Sequence, residues 1–245
     1  MLKKLRTIRA FILDLLFPIT CFQCNKPGYY LCPQCVQKIE RYPNNNCPFC
    51  NVFSNAGKTC KQCQNNYTLD QLLVFTYYSN PLIKKVVHSF KYSSVYLLAR
   101  DSAQLLAQLI QENLLPEEFS KSLIVPVPMH PKKQKRRGFN QTQLLGESLS
   151  LITKIPLADN LLKKTKNTVP QMQVKNKDKR RANIEKAFSV NQKKLSAKNL
   201  SKKIILIDDV TTTGATLSHC AETLKQAGFQ KVIGIVIARQ PKTIL

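Results

Sequence analysis

Residues 204–216 read Ile-Ile-Leu-Ile-Asp-Asp-Val-Thr-Thr-Thr-Gly-Ala-Thr, and no other stretch restricts the fold of this chain as tightly. Four successive aliphatics without polar alternation form a strand buried on both faces, as in a parallel sheet covered by helices. Open parallel sheets bind ligands beyond the carboxyl ends of their strands, and Asp208 and Asp209 fall at such an end. The turn that follows, Val210, Thr211, Thr212, Thr213, Gly214, Ala215 and Thr216, can aim backbone N–H groups and hydroxyls at one point. A helix beginning near Ala215 adds its positive end, and together these make a nest for a phosphate group. Gly214 allows positive φ or close backbone approach. Two acids beside an anion need a different task. Ionised carboxylates only accept hydrogen bonds, so the vicinal hydroxyls of a sugar suit them.

The rest of the chain alternates in the manner of an α/β fold. Strands are predicted at residues 72–77, 123–127, 161–165 and 232–238. Helices are predicted at 80–88, opened by Asn80 and Pro81, and at 97–110, 141–152 and 216–226, the last closed by Gly228. Residues 166–183 are polar and basic with few aliphatics and predict a mobile loop. The expected organisation is an amphipathic helix over 1–20, a cysteine-rich module over 21–66 and an α/β domain over 67–245.

Eight of the nine cysteines form four C-x-x-C pairs: Cys21 with Cys24, Cys32 with Cys35, Cys47 with Cys50, and Cys60 with Cys63. That spacing is poor for independent disulfides and good for metal knuckles, so it argues for a reducing compartment and for structural zinc. Eight thiolates are enough for two closed tetrahedra. Sequential pairing needs only short hairpins, and interleaved pairing also satisfies the count. The segment has few aliphatics, so metal is expected to replace a core there. Tyr29, Tyr30, Tyr42, Phe49, Phe53 and Tyr67 either pack round the metal or offer rings on which bases stack. The ninth cysteine, Cys220, reads as a small buried apolar residue.

Lysine and arginine number 38 against 14 acids, a net charge of +24, which calls for polyanionic partners: nucleic acid, phosphorylated ligands or an anionic membrane surface. The first residues place Lys3, Lys4, Arg6 and Arg9 before an apolar run that Asp14 interrupts and Pro18 ends. No cleavage site of a secretory signal follows, and the run is far shorter than the ~20 residues that span a bilayer. It reads as an amphipathic helix that packs on the zinc module or touches the inner face of the membrane.

The strand, paired acids and threonine turn resemble the signature of type I phosphoribosyltransferases. The resemblance implies a 5-phosphate held by residues 211–216 and ribose hydroxyls held by Asp208 and Asp209. The basic segment after residue 128 offers Arg136, Arg137, Gly138, Asn140 and Gln141 for a pyrophosphate, joined by Arg180 from later in the chain, with Lys132, Lys133 and Lys135 adding field. Val125-Pro-Val-Pro128, Arg136-Arg-Gly-Phe-Asn-Gln141, Pro170-Gln171, Arg180-x-x-Asn183 and Ala187-Phe188 narrow the likeness to the ComF family of bacterial competence proteins. That resemblance covers nearly the whole chain and implies a cytoplasmic protein of natural transformation that acts on incoming single-stranded DNA. It implies 5-phosphoribosyl-1-pyrophosphate (PRPP) with Mg²⁺ as ligand, zinc in the cysteine module and a DNA-uptake helicase as a partner. Lys163 and Lys164 stand where the family has arginines, and lysine lacks the planar fork of a bidentate phosphate contact.

Three functions are compatible with these residues: a phosphoribosyltransferase whose acceptor is unknown, a DNA-handling protein that retains the sugar-phosphate site, and a scaffold that contacts uptake components through its zinc module. No catalytic residue is assigned. His130, beside the basic segment, is a structural residue or a general base, and His88 and His219 fall on predicted helices.

Overall fold

A computed structural model describes residues 18–90, 95–166 and 187–240. The amphipathic helix expected over 1–20 falls largely outside these residues, and so do Pro170, Gln171, Arg180, Asn183 and most of the loop expected over 166–183.

The body is an α/β sheet of four parallel strands in the order β1 (Gln71–Tyr77), β6 (Val232–Arg239), β5 (Lys203–Thr211), β2 (Ser122–Pro126). The two central strands carry the uninterrupted aliphatic runs: β5 is buried over 204–207 and at Thr211, and β6 is buried except at Arg239. Helices cover both faces: α1 (Pro81–Ser89), α2 (Val95–Asn113) and α4 (Gln141–Thr153) pack on one side, and α5 (Ala215–Gln226) on the other. Asn80 starts α1 by accepting from the N–H groups of Leu82 and Ile83, with Pro81 at the first helical position.

Two expectations need correction. The basic segment 129–141 is not wholly a loop. Pro131–Arg137 form a short helix, α3, capped by His130 at its start and by left-handed Gly138 (φ 86°) at its end. Five of its seven residues are basic, so it carries no apolar periodicity by which sequence could show it. Second, residues 162–164 do not extend the parallel sheet. β3 (Leu162–Lys164) pairs antiparallel with β4 (Phe188–Val190), a three-residue strand too short to announce itself.

Both edges of the sheet are covered, which removes free strand edges as templates for aggregation. Residues 156–158 close the β2 edge, where Ile124 N–H donates to Pro156 C=O and Ala158 N–H to Ile124 C=O, each at 2.8 Å. The cysteine module closes the β1 edge. Tyr42 N–H donates to Phe75 C=O, Thr59 N–H donates to Asp70 C=O, and Asn44 pairs through its amide with both backbone groups of Val74. Gly57 is required at this seam: its φ is +65°, and a Cβ there would lie 2.3 Å from the Leu72 carbonyl oxygen.

The module straddles β1. Cys21, Cys32 and Cys35 join the hydrophobic cluster that contains Phe75, Phe90 and Leu105, whereas Cys47, Phe49 and Cys63 join the cluster of Leu217 and Cys220 on the opposite face. The cysteine knuckles therefore share the core of the sheet. No helix among the described residues is long and apolar enough to cross a membrane.

Candidate functional site

β5 runs two residues past its acids. Asp208 and Val210 stay in register with Val236 and Ala238 of β6, so both carboxylates project from a rigid strand tip. Asp209 N–H donates to Asp208 Oδ1 at 2.9 Å, and Val210 N–H donates to Asp209 Oδ1 at 2.7 Å. Asp208 is half-buried at this tip. Burial, with the Asp209 charge beside it, pushes its pKa well above the usual carboxylate range.

The turn after β5 is stiffened from within. Thr211, buried, accepts from Gly214 N–H at 3.1 Å, and Thr213 Oγ1 accepts from Ala215 N–H at 3.4 Å. Gly214 takes φ 78°, a left-handed conformation natural to glycine, and starts α5. Among the described residues no acceptor meets the backbone N–H groups of Thr212 and Thr213, and no partner meets the hydroxyls of Thr212 and Thr216. These groups lie at the positive end of the twelve-residue helix α5. Unpaired donors at a helix start are what an anion needs.

The basic helix reaches this tip. Arg137 Nη1 donates to Gln141 Oε1 at 2.7 Å, and Gln141 Nε2 donates to Asp209 Oδ2 at 3.3 Å. Arg136 is exposed beside it. Asn140, 8% exposed, caps α4 by accepting from Thr142 N–H and donates to Val127 C=O, while Gly138 turns the chain out of α3. His130 Nδ1 accepts from Lys132 N–H at 3.2 Å, so its side chain starts α3. His88 lies on α1, and His219, on α5, contacts Glu222 at 3.3 Å. Lys164 comes over the site from β3, with its ammonium 5.3 Å from the centre of the Phe188 ring. Burial, and then nearby Lys133, push its pKa down. Cys220 is fully buried, and burial pushes its thiol up, which leaves it inert.

The cysteines group sequentially, Cys21/Cys24/Cys32/Cys35 and Cys47/Cys50/Cys60/Cys63, with the sulfurs of each set all within 4.8 Å of one another. A zinc tetrahedron with bonds of ~2.3 Å has sulfurs ~3.8 Å apart, so both clusters fit one ion each. Their electrostatics fit as well. Burial opposes ionisation of Cys21 and Cys47, yet backbone N–H groups of the knuckles outweigh it and bring both thiols down to about 6. Burial pushes Cys35 up to about 12, and Cys63 is raised in the same way. Four thiolates in such a space need a dication to coexist. Of the aromatics in the module, Phe49 stacks on Tyr67 at 3.8 Å and 7°, and Tyr42 meets Tyr77 and Tyr30 meets Phe22 at about 5 Å. Phe53 is 77% exposed.

Two residues join this site that sequence did not assign to it: Arg239 lies in no motif, and Phe49 reads from sequence only as an aromatic of the cysteine module. Arg239, at the end of β6, donates through Nε to Thr212 C=O at 3.3 Å and through Nη2 to Pro48 C=O. Phe49 faces Gly214, where a Cβ would lie 3.2 Å from its ring. The position of Arg239 at the carboxyl end of the neighbouring strand was the available signal.

Residues 144–245 match the phosphoribosyl transferase domain family. The chain is 29% identical to competence protein F of Haemophilus influenzae over 225 residues, which is 88% of this chain and 95% of that protein. It is 28% identical to competence protein ComFC of Streptococcus pneumoniae over 206 residues, 82% of this chain and 84% of that one. A DNA utilization protein, YhgH of Escherichia coli K12, is 26% identical over 225 residues, 88% and 94% of the two chains.

Proposed function

Because the chain is a homologue of the ComF competence proteins F and ComFC, with a phosphoribosyl transferase domain and two cysteine clusters fit for structural zinc, we propose that it binds PRPP with Mg²⁺ at the tip of β5 and handles single-stranded DNA during natural transformation. The observation that carries the ligand is the pairing of two kinds of group at one strand tip. Asp208 and Asp209 are acceptors suited to a diol, and the N–H groups of Thr212 and Thr213, with the start of α5, are donors suited to a phosphate.

In this reading Asp208 and Asp209 accept from the ribose hydroxyls, residues 211–216 hold the 5-phosphate, and Arg137, positioned by Gln141, faces the pyrophosphate. Mg²⁺, held with the ligand near Asp208 and Asp209, would offset the charge of the pyrophosphate. The DNA partner follows from the net charge of +24 and from the relatives' printed roles in competence and DNA utilization.

Calorimetric titration with PRPP and Mg²⁺ tests the ligand. Saturable binding that Asp208→Ala and Asp209→Ala abolish supports the reading, and equal affinity in all three proteins refutes it. Pyrophosphate release in the presence of candidate acceptors then separates a transferase from a protein that only binds the donor.

A further inference from the structure

Pro48 and Phe49 are the two residues inside the Cys47-x-x-Cys50 knuckle; the Phe49 ring faces Gly214 in the turn after β5, and Pro48 C=O accepts from Arg239, which also donates to Thr212 C=O of that turn. We propose that Arg239 is a positioning residue that couples the Cys47/Cys50/Cys60/Cys63 cluster to this turn, so that metal in that cluster sets the affinity of the turn for a phosphorylated ligand. The inference rests on the reading that residues 211–216 hold phosphate.

The coupling follows from peptide geometry. The carbonyl of Thr212 and the N–H of Thr213 belong to one planar trans unit and point in opposite directions. Arg239 Nε holds that carbonyl from behind, at 3.3 Å, and thereby aims the Thr213 N–H away from itself. The guanidinium is fixed in turn by Pro48 C=O, and the backbone beside Arg239 is held to the turn, since Gln240 N–H donates to Thr211 C=O at 2.9 Å. Pro48 is held only as firmly as the cysteines on either side of it. Phe49 makes a second link: its ring, backed by Tyr67 at 3.8 Å, presses on Gly214, the residue that starts α5. Ligating Cys47 and Cys50 to one ion fixes both links together.

The other cluster is anchored elsewhere. Asp101 of α2 accepts from the N–H groups of Tyr30 and Leu31 at 2.7 and 3.2 Å, and Lys85 of α1 donates to Phe22 C=O at 3.3 Å. Its cysteines pack on the opposite face of the sheet from α5. The two clusters have the same ligands, but only the second abuts the turn.

Coupling is reciprocal: if metal strengthens ligand binding, ligand must retain metal. The test compares the zinc-loaded full chain with Arg239→Lys, which keeps the charge but not the two-armed fork, and with Asp101→Asn, which loosens the first cluster. Three quantities are read: zinc per chain, affinity for PRPP with Mg²⁺ by calorimetry, and the rate of zinc release to a colorimetric chelator with and without PRPP. In the wild type, PRPP should slow the release of one of two zinc ions. Arg239→Lys should bind PRPP about tenfold more weakly, a shift of ~1.4 kcal/mol, and should lose that protection. Asp101→Asn should keep both. Wild-type affinity and undiminished protection in Arg239→Lys overturn the proposal. Should Arg239→Lys retain only one zinc, Phe49→Leu reads the same coupling with Arg239 and all four thiols in place, and wild-type behaviour there overturns it equally. Failure of the wild type itself to bind PRPP would instead remove the phosphate reading on which the coupling rests.

Discussion

Gln141 Nε2 lies 3.3 Å from Asp209 Oδ2, and this contact joins the basic segment to the acidic strand tip across 68 residues of sequence. Gln141 also accepts from Arg137, so one amide orients a cation and an anion at once. Replacing it with Ala removes this bridge and leaves Asp209 with the Val210 N–H. A hydrogen bond to a charged group contributes about 1.5–3 kcal/mol, so Gln141→Ala should weaken PRPP binding by roughly tenfold or more at unchanged zinc content. Calorimetry of the variant checks this, and an affinity within twofold of the wild type speaks against the role.

Asp208 predicts a trade between stability and binding. Its folded pKa is raised, by burial first and by Asp209 second. In the window from the ordinary carboxylate range upward, the folded chain therefore holds a proton that the unfolded chain has lost, and stability falls as pH rises through that window. Asp208→Asn removes the effect. The variant should melt higher than wild type at neutral pH by a few degrees, the difference should shrink toward acid, and PRPP binding should be lost. A wild-type melting profile across pH would contradict the assignment of strain to this carboxyl.

Metal removal should act on the whole body, because the knuckles share its core and close the β1 edge. Cys32→Ser and Cys47→Ser should each lose one zinc per chain. Each should also lower the melting temperature by roughly 10 °C or more, since structural zinc sites supply folding energy outright. Melting curves with zinc analysis decide the matter. A variant that loses its ion without loss of stability would mean that the knuckle stands apart from the sheet.

Single-stranded DNA binding should weaken steeply with salt. Each phosphate neutralised contributes about −0.7 to the slope of log affinity against log salt. Anisotropy with an oligonucleotide across a salt series should therefore give a clearly negative slope, made shallower when Lys132, Lys133 and Lys135 are replaced together by Gln. A flat response would remove DNA from the account.

Much of this arrangement was legible from sequence because single segments carry it. The four aliphatics before Asp208 suit a strand buried on both faces, and four C-x-x-C pairs in one short segment suit metal knuckles. Asn80-Pro81 starts a helix by its own side chain and ring. What sequence did not show depends on partners distant in the chain. The helix Pro131–Arg137 has no apolar face, since its role is to display charge. β3 and β4 are three residues each and exist only by pairing. Arg239 and Phe49 gain their meaning from a turn and a knuckle that fold beside them, and nothing local to either residue says so.

The most direct test of the account is a calorimetric titration of the zinc-loaded protein with PRPP and Mg²⁺, run beside ribose 5-phosphate and pyrophosphate alone. The account predicts one site per chain that takes PRPP more tightly than either fragment and disappears in Asp209→Ala. No binding by the folded, zinc-replete chain, or binding that survives in Asp209→Ala, would contradict it.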